Sequence, residues 1–378
     1  MGEGRALGAP SRDPEVPAVI DLFRPVTRAC DLTIDPGLHR GIGVVGAGAI
    51  TTVAHLPAYR AAGLPVLGIT DLDADRAERA RAEFGLPRSY TLEEMLADKA
   101  IEIVDVAVFP EAQPDIVRAA LAAGKHVLAQ KPLATSSTVG RELVTLAKNL
   151  GRSLVVNQQM RYGEGMAAAR AMVELGWIGE VTHMTIDTDI ITDWSAWSWI
   201  VNSPRLDLMY HSIHYFDSVR AVLGDPQQVT CVAGRRPGQL AVGETRTLTT
   251  LTFPGARSAL VKVNHENHTG DQHATFRIDG SDGAIRGTIG LLYDYPHGRP
   301  DTVELNSAVL PTDGWVPYPV TSRWIPDAFA GPMRALLGEI AGLAPAPTTA
   351  ADALRTLQLV ECGYASIASG ATVSFPPD

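Results

Sequence analysis

The residues best suited to chemistry begin with a lysine at the end of an apolar run. Residues 125–129, KHVLA, predict a strand, and Lys131 and Pro132 follow shortly after it. The carboxyl end of a parallel strand is where open α/β sheets bind their ligands. Burial there brings the pKa of a lysine toward neutrality, so that it can exchange a proton with a substrate hydroxyl. A lone loop lysine is more often a solvated surface residue, but its place at the strand end favours a functional Lys131.

A second stretch, DLMYHSIHYFD, begins at Asp207 within an apolar pattern of helical spacing at 206–223. Residues three or four apart lie on one helical face, so Asp207 can reach His211. By the same spacing Tyr210 can reach His214. A histidine whose proton affinity is set by a carboxylate or a phenol is a plausible base for a hydroxyl proton. We expect at least one of the two histidines to be an ordinary core residue.

Neither group of histidines predicts a metal site. A catalytic zinc ion needs a third protein ligand, and sequence spacing points to none beside His211 and His214. The run HENHTGDQH, which contains His265, His268 and His273, lies at the end of a predicted strand. Histidines in such a place more often face solvent or a cleft than a metal. We therefore expect no bound metal.

Three tryptophans, Trp194, Trp197 and Trp199, lie in a predicted loop at residues 193–202. Indole rings stack well on the apolar faces of sugar rings. The same rings also suit packing between subunits, and the sequence does not separate the two roles. Trp194 and Trp197 are predicted substrate contacts, with packing as the open alternative.

A glycine-rich turn early in the chain predicts a nucleotide site. Residues 41–51, GIGVVGAGAIT, have the pattern of a buried strand that runs into a helix. Gly46 permits the tight turn, and Gly48 lets backbone N–H groups approach a pyrophosphate. Thr51 stands where the usual G-x-G-x-x-G/A pattern has its third small residue. Asp71, 25 positions after Gly46, is placed to bind the adenosine ribose.

The residue after that aspartate helps to choose the cofactor. Leu72 is apolar, so no arginine or lysine stands immediately there to hold a 2′-phosphate. NAD is therefore expected, with NADP as the alternative. The predicted cofactor contacts are Gly46, Gly48, Ala49, Ile50, Asp71, Pro110, Gln130 and Lys131.

Composition describes an ordinary soluble globular protein and narrows its partners. The 378 residues are 46% hydrophobic and 20% charged, with a formal net charge of −10. Nucleic acids and anionic membranes bind proteins through clustered Lys and Arg. Because this chain has a negative net charge, we expect a small ligand instead. Three scattered cysteines predict neither a disulfide framework nor a zinc site and fit a reducing cytoplasm. No stretch reaches the roughly 18 apolar residues of a membrane span.

The order of strands and helices predicts two domains and an arm. Short apolar strands alternate with helices over residues 41–160, which is typical of the doubly wound parallel sheet of a Rossmann domain. Over residues 161–378 consecutive strands predict an α+β domain with an open, mostly antiparallel sheet, whose last helices partly pack back on the first domain. Residues 1–40 lack the order of a signal peptide and are expected to dock on the body or a neighbouring subunit, or to stay disordered.

Four stretches resemble the glucose-fructose oxidoreductase and inositol dehydrogenase family, often called Gfo/Idh/MocA. They are the GIGVVGAGAI turn, AGKHVLAQKPLA at 123–134, GWIGEV at 176–181 and HYFDSVRAVLG at 214–224. With the similar closing run TTAADALRTLQLVECGYASIASGATV, the resemblance covers about residues 41–375. It implies a Rossmann domain that holds NAD or NADP, and a second domain whose sheet borders the substrate and makes dimer or tetramer contacts. It also implies oxidation of a secondary hydroxyl of a sugar, glycoside or cyclitol, or the reverse reduction.

The resemblance implies roles for individual residues as well. Lys131 corresponds to the family's motif lysine, which orients the reacting oxygen and assists proton transfer. His214 corresponds to the catalytic histidine through the H-x-x-D register that it forms with Asp217. Asn157 and Arg161, in NQQMRY, fall where the family brings polar residues toward the cofactor and substrate. Both are predicted substrate contacts.

Two departures from the family pattern leave alternatives open. Gln130 replaces the family's glutamate before Lys-Pro and so removes a carboxylate that would hold the lysine charged. Tyr210 stands where the family has an aspartate four residues before its histidine, whereas Asp207 and His211 show that spacing three residues earlier. We favour His214 as the base, with His211 or Tyr210 as a second polar contact.

The sequence thus predicts a cytoplasmic, homo-oligomeric NAD-dependent dehydrogenase that acts on a sugar, glycoside or cyclitol. Two alternatives remain. One is a sugar oxidoreductase whose tightly bound cofactor is recycled internally, and the other is a non-catalytic regulatory protein that binds NAD and a sugar.

Overall fold

The structure is a computed structural model that describes residues 21–293, 295–296 and 298–377. It contains a six-stranded sheet in the first part of the chain and a nine-stranded sheet in the second. The predicted fold class, a Rossmann domain followed by an α+β domain with a mostly antiparallel sheet, is confirmed. The domain boundary near residue 160 stays a prediction, and residues 1–20 lie outside the described residues.

The first described segment packs on the second domain. It contains helix α1 (Arg24–Ala29), and the preceding Phe23 is buried at 1% exposure. The Phe23 ring lies 5.9 Å from the Trp177 ring and 5.4 Å from the Tyr318 ring. Of the alternatives for the N-terminal arm, docking on the body of the same chain therefore holds for residues 21–40.

The six-stranded sheet is parallel throughout, in the order β3-β2-β1-β4-β5-β6. Every residue of β1, β4 and β6 is buried, because helices cover both faces, and this explains the continuous apolar runs in the sequence. The strand order reverses between β1 and β4, and ligands of such sheets bind in the crevice at that point. The strands are β1 (Ile42–Val45), β2 (Val66–Thr70), β3 (Arg88–Ser89), β4 (Ile103–Val106), β5 (His126–Gln130) and β6 (Leu154–Asn157).

The longer helices of this domain begin and end at clear local signals. The Asp73 side chain accepts from the Arg76 N–H at one end of its helix, and Gly85, at a φ of 66°, ends it in the left-handed conformation. Ser136 and Gly151 do the same for another helix. The helices are α2 (Leu56–Ala61), α3 (Ala74–Phe84), α4 (Leu92–Ala97), α5 (Gln113–Ala122) and α6 (Ser137–Leu150), and a π-helical turn, Thr51–His55, leads into α2.

The nine-stranded sheet has the order β14-β13-β12-β11-β7-β10-β9-β8-β15. Its central pair, β7 with β10, is parallel, and the other pairs are antiparallel. Strands β12 to β14 were not predicted. The strands are β7 (Val181–Asp189), β8 (Gln228–Gly234), β9 (Arg246–Thr252), β10 (Ser258–Asn264), β11 (His273–Gly280), β12 (Gly283–Thr288), β13 (Thr302–Ser307), β14 (Val316–Tyr318) and β15 (Val373–Ser374).

One face of this sheet is covered by helices and the other is open. In β9, for example, Thr247, Thr249 and Leu251 are buried while the alternate residues are exposed. The helices of this half are α7 (Glu164–Glu174), α8 (Ser198–Val201), α9 (Ile213–Leu223), α10 (Ala330–Ile340) and α11 (Ala350–Ser369), with a π-helical turn at Asp207–His211. Short 3₁₀ turns occur at Pro36–Leu38, Gln159–Tyr162, Trp194–Ala196, Pro254–Ala256, Gly290–Tyr293 and Asp327–Phe329.

Helix α11 contacts both halves of the chain. Its Glu361 accepts from the Ser137 N–H at 2.7 Å, at the start of α6. Its Ser366 hydroxyl accepts from the Cys231 N–H at 2.9 Å, in strand β8. The last long helix therefore joins the Rossmann domain to the second sheet. Among the described residues, no helix combines the length and the apolar character that crossing a membrane requires.

Candidate active site

Lys131 lies at the carboxyl end of β5 and contacts the second domain. Its Nζ donates to the Tyr210 carbonyl oxygen at 2.5 Å. Burial lowers the pKa of Lys131 to about 8, and no carboxylate opposes this shift. The lysine thus has the near-neutral pKa that proton exchange requires.

The side chain of Gln130 binds the backbone N–H of Lys131. Its Oε1 accepts from the Lys131 N–H at 2.7 Å, which leaves its Nε2 facing the Nε2 of His55 at 3.1 Å. The Asn157 Nδ2 faces the same histidine nitrogen at 3.2 Å. Because amide nitrogens only donate, His55 accepts at Nε2 and carries its proton on Nδ1. That Nδ1 donates to the Asp105 Oδ2 at 2.7 Å.

We call His55, Asp105, Tyr59, Gln130 and Asn157 the Rossmann centre. The Tyr59 hydroxyl donates to the same Asp105 oxygen at 2.8 Å, and the His55, Asp105 and Tyr59 side chains are fully buried. The sequence interpretation missed His55 and Asp105. The available signal was an aspartate within the apolar strand IEIVDVAVF, because a buried carboxylate needs donors around it.

A second group of polar side chains lies in the other domain. The buried Asp207 carboxylate lies 3.0 Å from His265 Nε2 and accepts from the hydroxyls of Ser212 at 2.8 Å and Thr247 at 2.5 Å. The Nδ1 of His211 lies 3.4 Å from the Asp207 Oδ1. We call Asp207, His211 and His265 the cleft centre. The predicted approach of Asp207 to His211 is present, and His265, which sequence reasoning discounted, joins them from the end of β10.

Among the described residues, His214 forms no ion pair with a carboxylate. Its ring packs edge-on against Trp324, with 5.3 Å between ring centres, and it is 6% exposed. Its Nδ1 is buried and has no hydrogen-bond partner within the described parts of the chain. Burial, followed by the positive charges of Lys131 and His211, holds the pKa of His214 well below its usual value. The imidazole is therefore neutral and ready to accept a proton.

Asp217, which suggested the register of His214, binds Arg161. Asp217 accepts from Arg161 Nε at 2.6 Å and from its Nη2 at 2.8 Å. Arg161 Nη2 also donates to Asp352 at 2.7 Å. This buried ion-pair network anchors α11 and occupies the guanidinium, and Asn157 is directed into the Rossmann centre. The contacts favour structural roles for Arg161 and Asn157, whose predicted substrate contacts remain predictions.

The tryptophan loop covers the cleft centre. The Trp194 ring is 6% exposed and lies 4.9 Å from the His265 ring, edge to face. Trp199 lies 5.1 Å from Tyr210 and 5.4 Å from Phe109, which follows β4 in the Rossmann domain. The loop therefore connects the two domains beside Lys131. Trp197 lies 5.5 Å from the Tyr295 ring.

The glycine turn has the shape that a dinucleotide requires. Gly46 has a φ of 101°, and a Cβ there would lie 2.2 Å from the Ala107 carbonyl oxygen, so only glycine fits. A Cβ on Gly48 would meet nothing within 4 Å, which leaves open space above the turn. The Thr51 hydroxyl donates to the Gly46 carbonyl oxygen at 2.8 Å and thereby explains the unusual third residue of the motif.

Asp71 lies beside this turn. Its Oδ2 accepts from the Ala47 N–H at 2.7 Å and its Oδ1 from the Asp73 N–H at 2.9 Å. Arg76 Nη1 lies 3.6 Å from the same carboxylate. Open space at the turn and a carboxylate next to it fit the pyrophosphate and ribose of NAD. Pro110 is buried after β4, Ala49 is exposed and Ile50 is partly buried.

The parallel sheet, the open glycine turn and the lysine at the neighbouring strand end together define a two-domain nicotinamide-dependent oxidoreductase. The chain belongs to the Gfo/Idh/MocA family. Residues 40–158 match the model of the oxidoreductase family with an NAD-binding Rossmann fold, and residues 166–286 match the GFO/IDH/MocA C-terminal domain. The protein is accordingly an NAD-dependent oxidoreductase, as the resemblance implied.

Known proteins similar to the chain include dehydrogenases of sugars. A D-apiose dehydrogenase of Rhizobium rhizogenes is 25% identical over 316 residues, 82% of this chain and 90% of the relative. An uncharacterized oxidoreductase of Schizosaccharomyces pombe is 33% identical over 195 residues, and these span 50% of this chain and only 52% of that protein. Levoglucosan dehydrogenase, solved with NADH and L-sorbose, has a TM-score of 0.75 at 21% identity, covering 90% of this chain and 100% of that chain.

Proposed function

We propose that the protein is a dehydrogenase that oxidises a secondary hydroxyl of a sugar, glycoside or cyclitol. The observation that carries this proposal is the approach of Lys131, at the end of β5, to Tyr210 in the segment that also holds both histidines. The relatives support the substrate class, since one acts on D-apiose and another is a levoglucosan dehydrogenase solved with a sugar.

NAD would be held by the open turn at Gly46 and Gly48, with Asp71 toward the ribose, and when bound it supplies the hydride acceptor. Lys131 binds and orients the reacting hydroxyl oxygen. His214 accepts the hydroxyl proton. Trp199 and Phe109 restrict water from one side of the cleft, where they lie 5.4 Å apart.

Geometry favours His214 over His211 as the base. The Nδ1 of His211 lies 3.4 Å from the Asp207 carboxylate and its Nε2 lies 3.5 Å from the Tyr215 hydroxyl, so its ring is directed toward these two groups, although Nδ1 makes no hydrogen bond within the described residues. His214 makes no such contacts and lies close enough to Lys131 for the lysine charge to lower its pKa. The positive charge of Lys131 therefore disfavours the protonated form of the His214 imidazole.

The proposal is tested with a panel of sugars, glycosides and cyclitols, including D-apiose and levoglucosan, incubated with NAD and then with NADP. The absorbance of reduced nicotinamide reports hydride transfer. We expect reduction of NAD with at least one member of the panel. Ligand binding without hydride transfer from any member, in either cofactor, would refute the enzymatic proposal.

We also propose that the chain forms a dimer or tetramer through the open face of the nine-stranded sheet. Val232 and Leu248 are directly paired on neighbouring strands and are 60% and 42% exposed. Paired apolar side chains on an open sheet suit a buried contact between subunits. Light scattering after gel filtration measures the mass, and Leu248→Lys should lower it. A monomeric wild-type protein would contradict the proposal. We further propose a cytoplasmic location, which the three free cysteines support.

A further inference from the structure

The cleft centre brings three metal-binding side chains together from distant parts of the chain. Each offers one ligand atom, and the three atoms lie within 4.8 Å of one another. His265 Nε2 is 3.0 Å and His211 Nδ1 is 3.4 Å from the Asp207 Oδ1. Ligand atoms of a tetrahedral zinc ion with bonds of about 2.0–2.1 Å stand roughly 3.3 Å apart. Both distances to the Asp207 Oδ1 are therefore close to those of ligands that share one small ion.

The outer contacts of these residues orient the same three atoms. The other ring nitrogen of His265, Nδ1, lies 2.9 Å from the Thr192 hydroxyl, so it can donate there and leave Nε2 as a ligand. The Nε2 of His211 faces the Tyr215 hydroxyl at 3.5 Å, which leaves its Nδ1. Metal-binding histidines regularly donate their second nitrogen in this way.

The carboxylate is oriented as well. Thr247 donates its hydroxyl to the Asp207 Oδ2 at 2.5 Å, on the oxygen other than the one the imidazoles approach. The Ser212 hydroxyl lies between the two oxygens, 2.8 Å from Oδ2 and 2.9 Å from Oδ1. The Oδ1 thus lies on the side of His211 and His265. A hydrogen-bonded carboxylate with one oxygen toward two imidazoles is a usual arrangement around a bound divalent ion.

An unsatisfied atom points in the same direction. The Nδ1 of His211 is buried and has no hydrogen-bond partner among the described residues. Buried polar atoms are rarely left without a partner. The side chain of His211 is 22% exposed, which gives an ion a route from the cleft.

We propose that Asp207, His211 and His265 bind one divalent transition-metal ion of the zinc type, with water in the remaining coordination positions. The ion joins the π-helical turn Asp207–His211 to His265, which follows the end of β10. The third ligand, which spacing in the sequence did not indicate, is His265. Metal binding itself is independent of the proposed dehydrogenase function.

The test uses the full-length chain, freed of metal by a chelator and then titrated with Zn²⁺ or Co²⁺. Competition with a chromophoric chelator gives affinity and stoichiometry, and the visible bands of Co²⁺ report the ligand set. We expect one ion per chain. Thr192→Val should weaken binding about 10-fold or more through the outer contact, and His265→Gln should weaken it further. His268→Gln is the matched control, because His268 is half exposed on the same segment and contacts Glu266 instead.

Three results would overturn the proposal: no stoichiometric binding, equal binding by His265→Gln, or Co²⁺ bands of an all-oxygen site. Any of them would make the cleft centre a hydrogen-bonded cluster only. Circular dichroism and thermal unfolding confirm that each variant is folded. If Asp207→Asn fails to fold, His265→Gln and Thr192→Val still decide. The sugar and NAD panel is read separately, so loss of metal binding leaves that result unaffected, and a failed panel leaves the metal result unaffected.

Discussion

Two fully buried carboxylates, Asp105 and Asp207, face imidazoles in contrasting surroundings. In the Rossmann centre the His55 imidazole has protein partners at both nitrogens and no exposed surface. In the cleft centre His211 is 22% exposed, and its Nδ1 has no hydrogen-bond partner in the part of the chain that the structure describes. Both histidines end a π-helical turn, a feature often found at functional sites. The same chemical groups are thus structural where they are enclosed and satisfied, and available for ligands where they are not.

The buried pair of His55 and Asp105 still influences Lys131, which lies on the cleft side. His55 positions Gln130, and Gln130 holds the backbone N–H of Lys131. With a neutral amide at this position, the lysine has no carboxylate to stabilise its charge. The Rossmann centre therefore positions Lys131, whereas the residues on the cleft side transfer protons. Variants that change stability or position without proton transfer, or proton transfer without stability, test this division of roles.

The largest expected effect comes from removing the amine of Lys131. Lys131→Ala should lower turnover by about 10²–10⁴-fold, the usual contribution of a positioned acid or base. NAD affinity should be nearly unchanged, because the glycine turn and Asp71 are left intact. Stopped-flow kinetics and cofactor titration measure the two quantities. Lys148→Ala, at an exposed site, is the control, and unchanged turnover in Lys131→Ala would remove the lysine from the mechanism.

Asp105→Ala should affect stability instead. It leaves the buried donors of His55 and Tyr59 without an acceptor, and each such group costs roughly 1–3 kcal/mol, so we expect a loss of about 2–5 kcal/mol in the free energy of unfolding. Urea denaturation measures it. The division between the two pairs is wrong if Asp105→Ala keeps full stability and instead abolishes turnover.

The pH dependence of turnover tests whether Gln130, in the Rossmann centre, influences the protonation of Lys131. Lys131 loses its proton near pH 8. Because its positive charge lowers the pKa of His214, the neutral amine leaves His214 a stronger base, so oxidation should speed up as the pH rises through about 8. Gln130→Glu places a carboxylate next to the lysine, which favours the charged form and should move this rise upward by about one unit. Gln130→Asn, which stays neutral, is the control. A profile that does not move in Gln130→Glu would show that the side chain has no electrostatic influence on Lys131.

The smallest effect is expected at the aromatic cover. Trp199→Ala should raise KM about 2- to 12-fold with little change in kcat, since an aromatic contact contributes roughly 0.5–1.5 kcal/mol. Initial-rate measurements over a range of sugar concentrations separate the two constants. Trp315→Ala, on the second sheet against Arg286, is the control. If kcat falls as much as the ratio kcat/KM, the ring takes part in the chemical step and does more than cover the cleft.

Local signals in the sequence predicted part of this arrangement well. The alternation of strands and helices that the sequence predicts over residues 41–160 includes α3 and α6, and their ends depend on neighbouring residues only, because Asp73, Gly85, Ser136 and Gly151 cap them. Lys131 was predicted from the strand before it. Strand β12, GAIRGT, was missed because two glycines and an arginine interrupt its apolar alternation.

Contacts between distant residues could not be obtained in the same way. His265 meets Asp207 across 58 positions, and His55 meets Asp105 across 50. Neither distance is set by a local repeat, because each depends on how whole strands and helices pack. The same holds for Asp217, whose spacing from His214 suggested a catalytic register while its carboxylate binds Arg161.

The Phe109–Trp199 contact gives the protein an optical signal of its own. Phe109 follows a strand of the Rossmann domain, and Trp199 belongs to the loop of the other domain, with 5.4 Å between their rings. A change in the separation of the domains therefore changes the surroundings of one indole. Tryptophan emission, with Trp199→Phe as the blank, can follow opening and closing in unlabelled protein while cofactor and sugar are added.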